Sequence, residues 1–365
     1  MDSVTTTQPL GGAVDDLVAV VPAGGIGSRL WPLSQPDRPK FLLDLLGTGQ
    51  SLLQGTLDRI APLTAEVMVV TGVAHAAAVG TQLPGLPQAN ILTEPSPRDS
   101  MAAIALAAAV IEQRHGTRIM GSFPADHVMR EPEQFRESVR IAVDAARTGK
   151  VVVIGIEPTG PSPAYGYIHY GDRMSDVPGA SAVQAFTEKP DVDTASRMLA
   201  AGGYAWNAGM YVTATDVLLA HLERLQPTLY AGIREIAADW DGHARAATLE
   251  RLWPTLTRIA IDHAIAEPVA AEGGVAVVAG SFDWHDVGDF ESLASLVPAD
   301  ADGVTRINRS ATVSTTDAQR TVVMGGSKPI AVVGLDDVVV VESDEAILVL
   351  GRSAAQRVKD VSAPQ

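Results

Sequence analysis

Leu17 to Val21 is an unbroken apolar run that stops at Pro22 and a glycine cluster, the pattern of a buried strand delivering the chain to a loop. Ser51 to Ile60 then places Leu52, Leu53, Thr56, Leu57 and Ile60 at helical spacing, and Glu66 to Val70 returns to a strand-like run. Strand, loop, helix and strand in that order predict a βαβ unit. The order recurs: Met101 to Ile111 reads as an alanine-rich helix, Arg118 to Phe123 as a strand ending at Pro124, Glu133 to Arg147 as a helix and Val151 to Ile156 as a strand. Alternation of this kind predicts an α/β fold, a mostly parallel sheet with helices on both faces.

From Pro158 to Asp191 the texture changes to Pro, Gly and Tyr between short alternating strands, which reads as an insertion lying over the ligand edge of the sheet. Helical spacing resumes over Asp193 to Leu199 and Thr215 to Ile236. Beyond Pro298, Thr312 to Ser314, Thr321 to Met324, Ile330 to Val333, Val338 to Val341 and Ala346 to Leu350 are short β-type runs between turn residues. They predict a small C-terminal β appendage, with a partial left-handed β-helix as one form, although no repeat is sharp enough to fix a period. The expected organisation is a disordered start over residues 1–16, an α/β domain over 17–297 and the β-rich appendage over 298–365.

Composition changes this picture little. The 365 residues are 46% hydrophobic and 19% charged, as in soluble globular proteins. A net charge of −16 argues against nucleic-acid or anionic-membrane surfaces, yet leaves room for a local basic pocket for a small anion. The absence of cysteine removes disulfides, thiolate metal sites and cysteine nucleophiles. No signal-peptide pattern opens the chain and no apolar stretch has membrane-span length, so a cytoplasmic protein is expected.

Candidate chemistry concentrates in the loop after the first strand. Ligands of open α/β sheets sit beyond the carboxyl ends of the strands. Gly24, Gly25 and Gly27 let backbone N–H groups turn toward an anion there. The dinucleotide fingerprint fails because Leu30 stands where a third small residue is needed, and no Gly-Lys-Ser/Thr closes a Walker loop. Arg29 supplies a bidentate fork and Lys40 a point charge, with Pro32, Pro36 and Pro39 stiffening the span between them. The string reads as a phosphate clamp; the bland alternative is a tight turn with solvated basic residues.

The string GGIGSRLWPLS followed by PK, from Gly24 to Lys40, resembles the signature of sugar-1-phosphate nucleotidyltransferases, and its RLWPLS form resembles the mannose-1-phosphate guanylyltransferase branch. Further motifs follow in the family's order to about Leu293. GSFPADHVM places Asp126 just after the strand Arg118 to Phe123, at the sheet's ligand edge, where a carboxylate can hold Mg²⁺ against a nucleotide's α-phosphate, a helix-capping role being the alternative; FDWHDVGDF resembles the family's W-x-D-V-G and adds Asp286 as a second ligand. Asp283 and Asp289 read as surface or capping neighbours, and His127 and His285 as residues behind the site or on the surface.

FTEKP resembles the segment that implies Lys189 on the sugar phosphate and Glu188 on a sugar hydroxyl. PAYGYIHYG implies Tyr165 and Gly166 at the sugar, with core packing equally open for Tyr165 and Tyr167. YAWNAGMYV implies Asn207 on sugar hydroxyls, with Trp206 and Met210 as packing residues. RIAIDHAIAEP implies Asp262 at the sugar, a capping role being the alternative. TEPSPRDSMAAIALAA keeps Glu94 and Arg98 for the nucleotide, with Glu94 as reader of guanine's N1–H and N2–H2 edge, but Asp99 stands where the family has Asn.

The resemblance implies a Rossmann-like nucleotidyltransferase fold and the reaction α-D-mannose 1-phosphate + GTP → GDP-mannose + pyrophosphate. It also implies Mg²⁺ on Asp126 and Asp286, phosphates on the glycine loop with Ser28 and Arg29, and transition-state charge on Arg29 and Lys40. Another hexose or heptose 1-phosphate, another nucleotide, or a catalytically silent regulatory subunit are the alternatives. The roughly 65 residues after Pro298 hold no histidine, so the isomerase activity of bifunctional relatives is not expected. The appendage is expected to mediate self-association, as a homo-oligomer and specifically a dimer.

Overall fold

The computed structural model describes residues 12–307, 312–326 and 328–361. Residues 1–11 of the expected disordered start lie outside them; within residues 12–16, Val14 N–H donates to Leu63 O at 2.7 Å and Asp16 pairs with Arg147.

The strands before residue 286 are β1 (Leu17–Ala23), β2 (Glu66–Gly72), β3 (Ile91–Glu94), β4 (Ile119–Ser122), β5 (Val128–Met129), β6 (Val151–Ile156), β7 (Tyr167–Arg173), β8 (Ala180–Thr187), β9 (Tyr204–Ala214), β10 (Val275–Gly280) and β11 (Trp284–His285). Nine form one sheet in the order β3-β2-β1-β4-β9-β6-β10-β8-β7. β3, β2, β1 and β4 are mutually parallel, as are β6 and β10, whereas β9 runs antiparallel between β4 and β6.

Every β1 side chain except Pro22 is buried, because both faces of the sheet are covered. On one face Val18, Val20, Met68 and Val70 meet the helix Asp99–His115, whose Met101 to Ile111 are all buried. On the other, Leu17, Ala19, Val21 and Val69 share a core with Phe135, Val139 and Val143 of the helix Pro132–Ala146 and with Leu53 and Ile60 of the helix Leu52–Ile60. A capping box of Ser51 and Gln54 starts the last of these.

Two expectations change. The helical stretch Thr215 to Ile236 is two helices, Thr215–Leu225 and Pro227–Ala238, because Pro227 cannot donate to the ladder and holds Gln226 at φ −137°, ψ 59°. The Pro/Gly/Tyr-rich stretch brings Tyr165 to the ligand edge as expected, but its strands belong to the sheet rather than to an insertion over it: β8 pairs with β10, and β7 pairs with both β8 and β9.

The C-terminal strands are β12 (Val304–Ile307), β13 (Val313–Thr316), β14 (Thr321–Met324), β15 (Ile330–Val333), β16 (Val338–Glu342) and β17 (Ile347–Gly351). β12, β14 and β16 are parallel, as are β13 and β15, and β17 closes antiparallel on β16. Each parallel ladder pairs residue n with n+17: Val304 with Thr321, Val313 with Ile330, Val322 with Val339. This is the coil repeat that the sequence hides, since stacked positions carry unlike side chains, as Arg306, Val323 and Val340 do. The inner side of these coils shares a third core with Leu30, Val287, Phe290 and Leu293.

Candidate active site

The carboxyl ends of β1, β3 and β4 open on one edge of the sheet. β1 ends at Ala23 and releases Gly24 to Ser28, whose N–H groups donate to nothing among the described residues. Gly25 (φ 79°) and Gly27 (φ 77°) occupy the left-handed region. Gly27 also needs its missing side chain: a Cβ would lie 2.7 Å from Lys40 Cβ. Lys40 N–H donates to Ile26 O at 3.1 Å and Ser34 Oγ to Gly27 O at 2.5 Å, folding the proline-rich return beneath the loop. Gly24 has a clear space beside it, and Ser28 opens the short turn Ser28–Leu30 that carries Arg29.

Past β4, Phe123 N–H donates to Val20 O and Ala125 N–H to Pro22 O, so Asp126 arrives beside the glycine loop. Thr56 and Arg59 side chains hold the carbonyls of Ala125 and His127. Asp126 caps no helix; its Oδ2 lies 2.7 Å from Lys40 Nζ. Burial opposes its ionisation, but the Lys40 ammonium and hydrogen bonds hold its carboxyl below the usual range.

Asp286 reaches the same place through a second small ladder. β5 and β11 pair antiparallel, Met129 with Trp284 and Val128 with His285, which aims Asp286 at the His127 side of the turn. Lys40 Nζ donates to Asp286 O at 2.8 Å and Val287 O at 3.2 Å, so the buried ammonium ties both aspartate segments together. A Cβ on Gly288 would stand 3.2 Å from Asp286 Oδ2 and 3.4 Å from Arg29 Nη1, which sets the guanidinium beside that carboxylate. Arg29 has no hydrogen bond or ion pair among the described residues.

Tyr165 Oη donates to Asp286 Oδ1 at 3.0 Å, and its ring lies against Trp206 and Trp284 at 4.8 and 5.3 Å. Burial and Asp286 push its phenol upward, so it stays a donor. Tyr167 is a core residue whose Oη accepts from Ser162 N–H.

A polar cluster stands next to this pair. Asn207 Nδ2 and Tyr211 Oη donate to Asp262 Oδ1 at 2.9 and 2.6 Å, and Gly209 N–H donates to Asn207 Oδ1 at 3.1 Å. Asp262 therefore faces this network rather than capping a helix. Glu188 is held from below by its N–H on Glu267 Oε1 and pairs with Lys189 Nζ at 2.6 Å. Burial and Asp262 raise the Glu188 carboxyl, partly offset by Lys189. A Cβ on Gly166 would lie 2.6 Å from Glu188 Oε2, so this glycine makes room for the carboxylate. Trp206 and Met210 are buried packing residues.

Glu94 ends β3, is 9% exposed, and its Oε1 is buried without a partner. Burial pushes its carboxyl up to about 7. Arg98 donates to Pro254 O and Leu256 O, and Asp99 pairs with Arg258. Asp283 pairs with His285 and Arg130 at the surface, and Asp289 makes a capping box with Ser292. Sequence reasoning missed Tyr211 and Glu267, whose side chains hold Asp262 and Glu188; a motif aspartate beside a polar strand residue was the only available signal.

The family model for nucleotidyl transferase matches residues 18–303, and one for a MannoseP isomerase/GMP-like beta-helix domain matches 312–363. The chain belongs to the nucleotidyl transferase family, and it is an enzyme. Its resemblance to mannose-1-phosphate guanylyltransferases spans most of its length: a protein so described from Escherichia coli is 33% identical over 94% of this chain and 72% of that protein. Xanthan biosynthesis protein XanB of Xanthomonas campestris pv. campestris (strain B100) is 37% identical over 95% of this chain and 73% of its own. A solved structure from Thermus thermophilus, described as a mannose-1-phosphate geranyltransferase, superposes with a TM-score of 0.84 at 30% identity, covering 95% of this chain and 98% of that one. No helix among the described residues is long and apolar enough to cross a membrane.

Proposed function

We propose that the protein transfers GMP from GTP to α-D-mannose 1-phosphate, releasing pyrophosphate. The observation that carries this reading is the run of unengaged backbone N–H groups from Gly24 to Ser28, set beside an unpaired Arg29 and two aspartates joined by Lys40. That arrangement suits a triphosphate lying across a glycine loop with its α-phosphorus near carboxylates.

The donor set fits Mg²⁺: no group of three or more His, Asp or Glu among the described residues could hold a metal by itself, so two carboxylates would leave phosphate oxygens to complete the shell. Asp126 and Asp286 would hold it, where it would offset charge on the α-phosphate. The loop amides, Ser28 and Arg29 would orient the β- and γ-phosphates. Lys40 holds Asp126 and the Asp286 peptide in place, a positioning task beyond the transition-state charge expected of it. Glu94 offers an acceptor to the guanine edge and Arg98 steadies the neighbouring segment.

Lys189 would take the sugar phosphate, and Glu188, Asn207 and Asp262 the hydroxyls, with Tyr165 and Gly166 shaping their side of the cleft. The sugar phosphate is largely dianionic at neutral pH and needs no general base. Its oxygen forms the new bond to the α-phosphorus as the bond to the β-phosphate oxygen breaks, and in-line positioning carries the rate.

A cytoplasmic location, where GTP is made, and a catalytic unit over 17–297 with an appendage over 298–365 belong to the same reading. So does self-association through the appendage, where Val333, Leu335, Ile347 and Val349 are each at least half exposed. Pyrophosphate release with Mg²⁺, crossing GTP, ATP, UTP and dTTP against mannose, glucose and heptose 1-phosphates, tests the specificity. Release confined to GTP and mannose 1-phosphate is expected; another preferred pair overturns the specificity, and none at all points to a regulatory subunit.

A further inference from the structure

His127 stands between Trp284 and Asp126. Its ring meets the indole edge-on, centroids 5.3 Å apart at 89°, and Trp284 Nε1 donates to His127 Nδ1 at 3.2 Å. An indole nitrogen is donor only, so Nδ1 must be the bare, accepting nitrogen and the ring proton sits on Nε2. Nε2 is the ring nitrogen that faces Asp126, 3.9 Å from Oδ1, while Lys40 sits on Oδ2.

We propose that Trp284 and His127 are a positioning pair, in which the indole fixes the histidine as its Nε2–H tautomer and so presents a neutral donor edge to Asp126. The opposite tautomer would turn a lone pair on the carboxylate, and a cation there would compete with the metal. At 3.9 Å Nε2 is beyond hydrogen-bond distance of Oδ1, so the ring turns its N–H dipole toward that oxygen and leaves it open to a metal. Trp284 lies two residues before Asp286, and the β5–β11 ladder joins the two segments, so the same contact sets one aspartate relative to the other. The inference rests on the metal assignment above and adds residues that touch neither substrate nor metal.

The test has two arms. ¹⁵N NMR of histidine-labelled enzyme without metal should show His127 as the Nε2–H form, and Trp284→Phe should release it to a mixture; an Nδ1–H form in the native protein, or no change in the variant, overturns the pair. Calorimetry of GTP binding with Mg²⁺ and with EDTA supplies the second arm. His127→Leu should lose about tenfold of the Mg²⁺-dependent affinity, while His127→Gln, which keeps a donor, recovers most of it. Equal binding by the native enzyme with and without Mg²⁺ defeats the metal assignment. Metal-dependent binding that His127→Leu leaves intact defeats the pair alone. Trp284→Phe keeps the ring packing and decides the matter if His127→Leu does not fold.

Discussion

Glu94 is a carboxyl group whose ionisation the protein resists. Burial raises it to about 7, so the folded state binds a proton that the unfolded state releases near its ordinary value of 4.5. Its contribution to stability is therefore present below about 4.5 and lost as the pH rises through about 7. As a reader of guanine N–H groups it must be ionised, so the apparent KM for GTP should fall between pH 6 and pH 8. Glu94→Gln should flatten that dependence and be the more stable protein at pH 8, by thermal melting; a parallel pH profile in the variant would refute the base-reading role. Lys189, exposed and at φ 44°, should act on one substrate only. Lys189→Ala should raise KM for the sugar phosphate about tenfold, the loss of a charge-assisted contact, and leave KM for GTP unchanged in initial-rate assays. Residue types and motif order made these side chains legible in the sequence. What they touch was not: Asp262 had two open roles, and only the approach of Asn207 and Tyr211, 55 and 51 residues away in the chain, decides between them.

The glycine loop and its proline-rich return work as one element because Lys40 packs where a side chain on Gly27 would be. Gly27→Ala forces a Cβ to 2.7 Å from Lys40 Cβ at a φ of 77°. It should cost about 1–3 kcal/mol of stability, by denaturant titration, and raise KM for GTP more than KM for the sugar phosphate. An unchanged KM for GTP would remove the loop from the phosphate site. The loop was readable because glycine and proline constrain the backbone locally. The β5–β11 ladder was not, since two-residue strands leave no periodicity and their pairing joins residues about 155 apart. Likewise, apolar runs announced the strands but could not say that β9 runs antiparallel through the sheet's middle or that β8 joins β10 and β7 turns back onto β9.

Across the whole molecule, the C-terminal coils brace the edge that carries the glycine loop. Val358, 3% exposed, belongs to the core that holds Phe290 together with Leu30 and Val287, the chain neighbours of Arg29 and Asp286. Arg352 pairs with Glu291 and Gln356 donates to Asp289 just beyond. Val358→Glu should therefore lower kcat/KM as well as the melting temperature; a drop in melting temperature with kcat/KM unchanged at lower temperature would make the coils a passive attachment. The outer apolar side gives a separate expectation: Ile347→Lys with Val349→Lys should convert a dimer to a monomer in sedimentation equilibrium, and a monomeric native protein would refute self-association there. The strands of these coils were visible as short β runs, while their 17-residue register was not, because it is written in pairing rather than in a repeated motif. The central claim, guanylyl transfer at the glycine loop, is tested most directly by following α-labelled GTP with mannose 1-phosphate and Mg²⁺. Label recovered in GDP-mannose, with unlabelled pyrophosphate released in equal amount, is the predicted result; label in GMP or GDP, or label left in GTP, would contradict it.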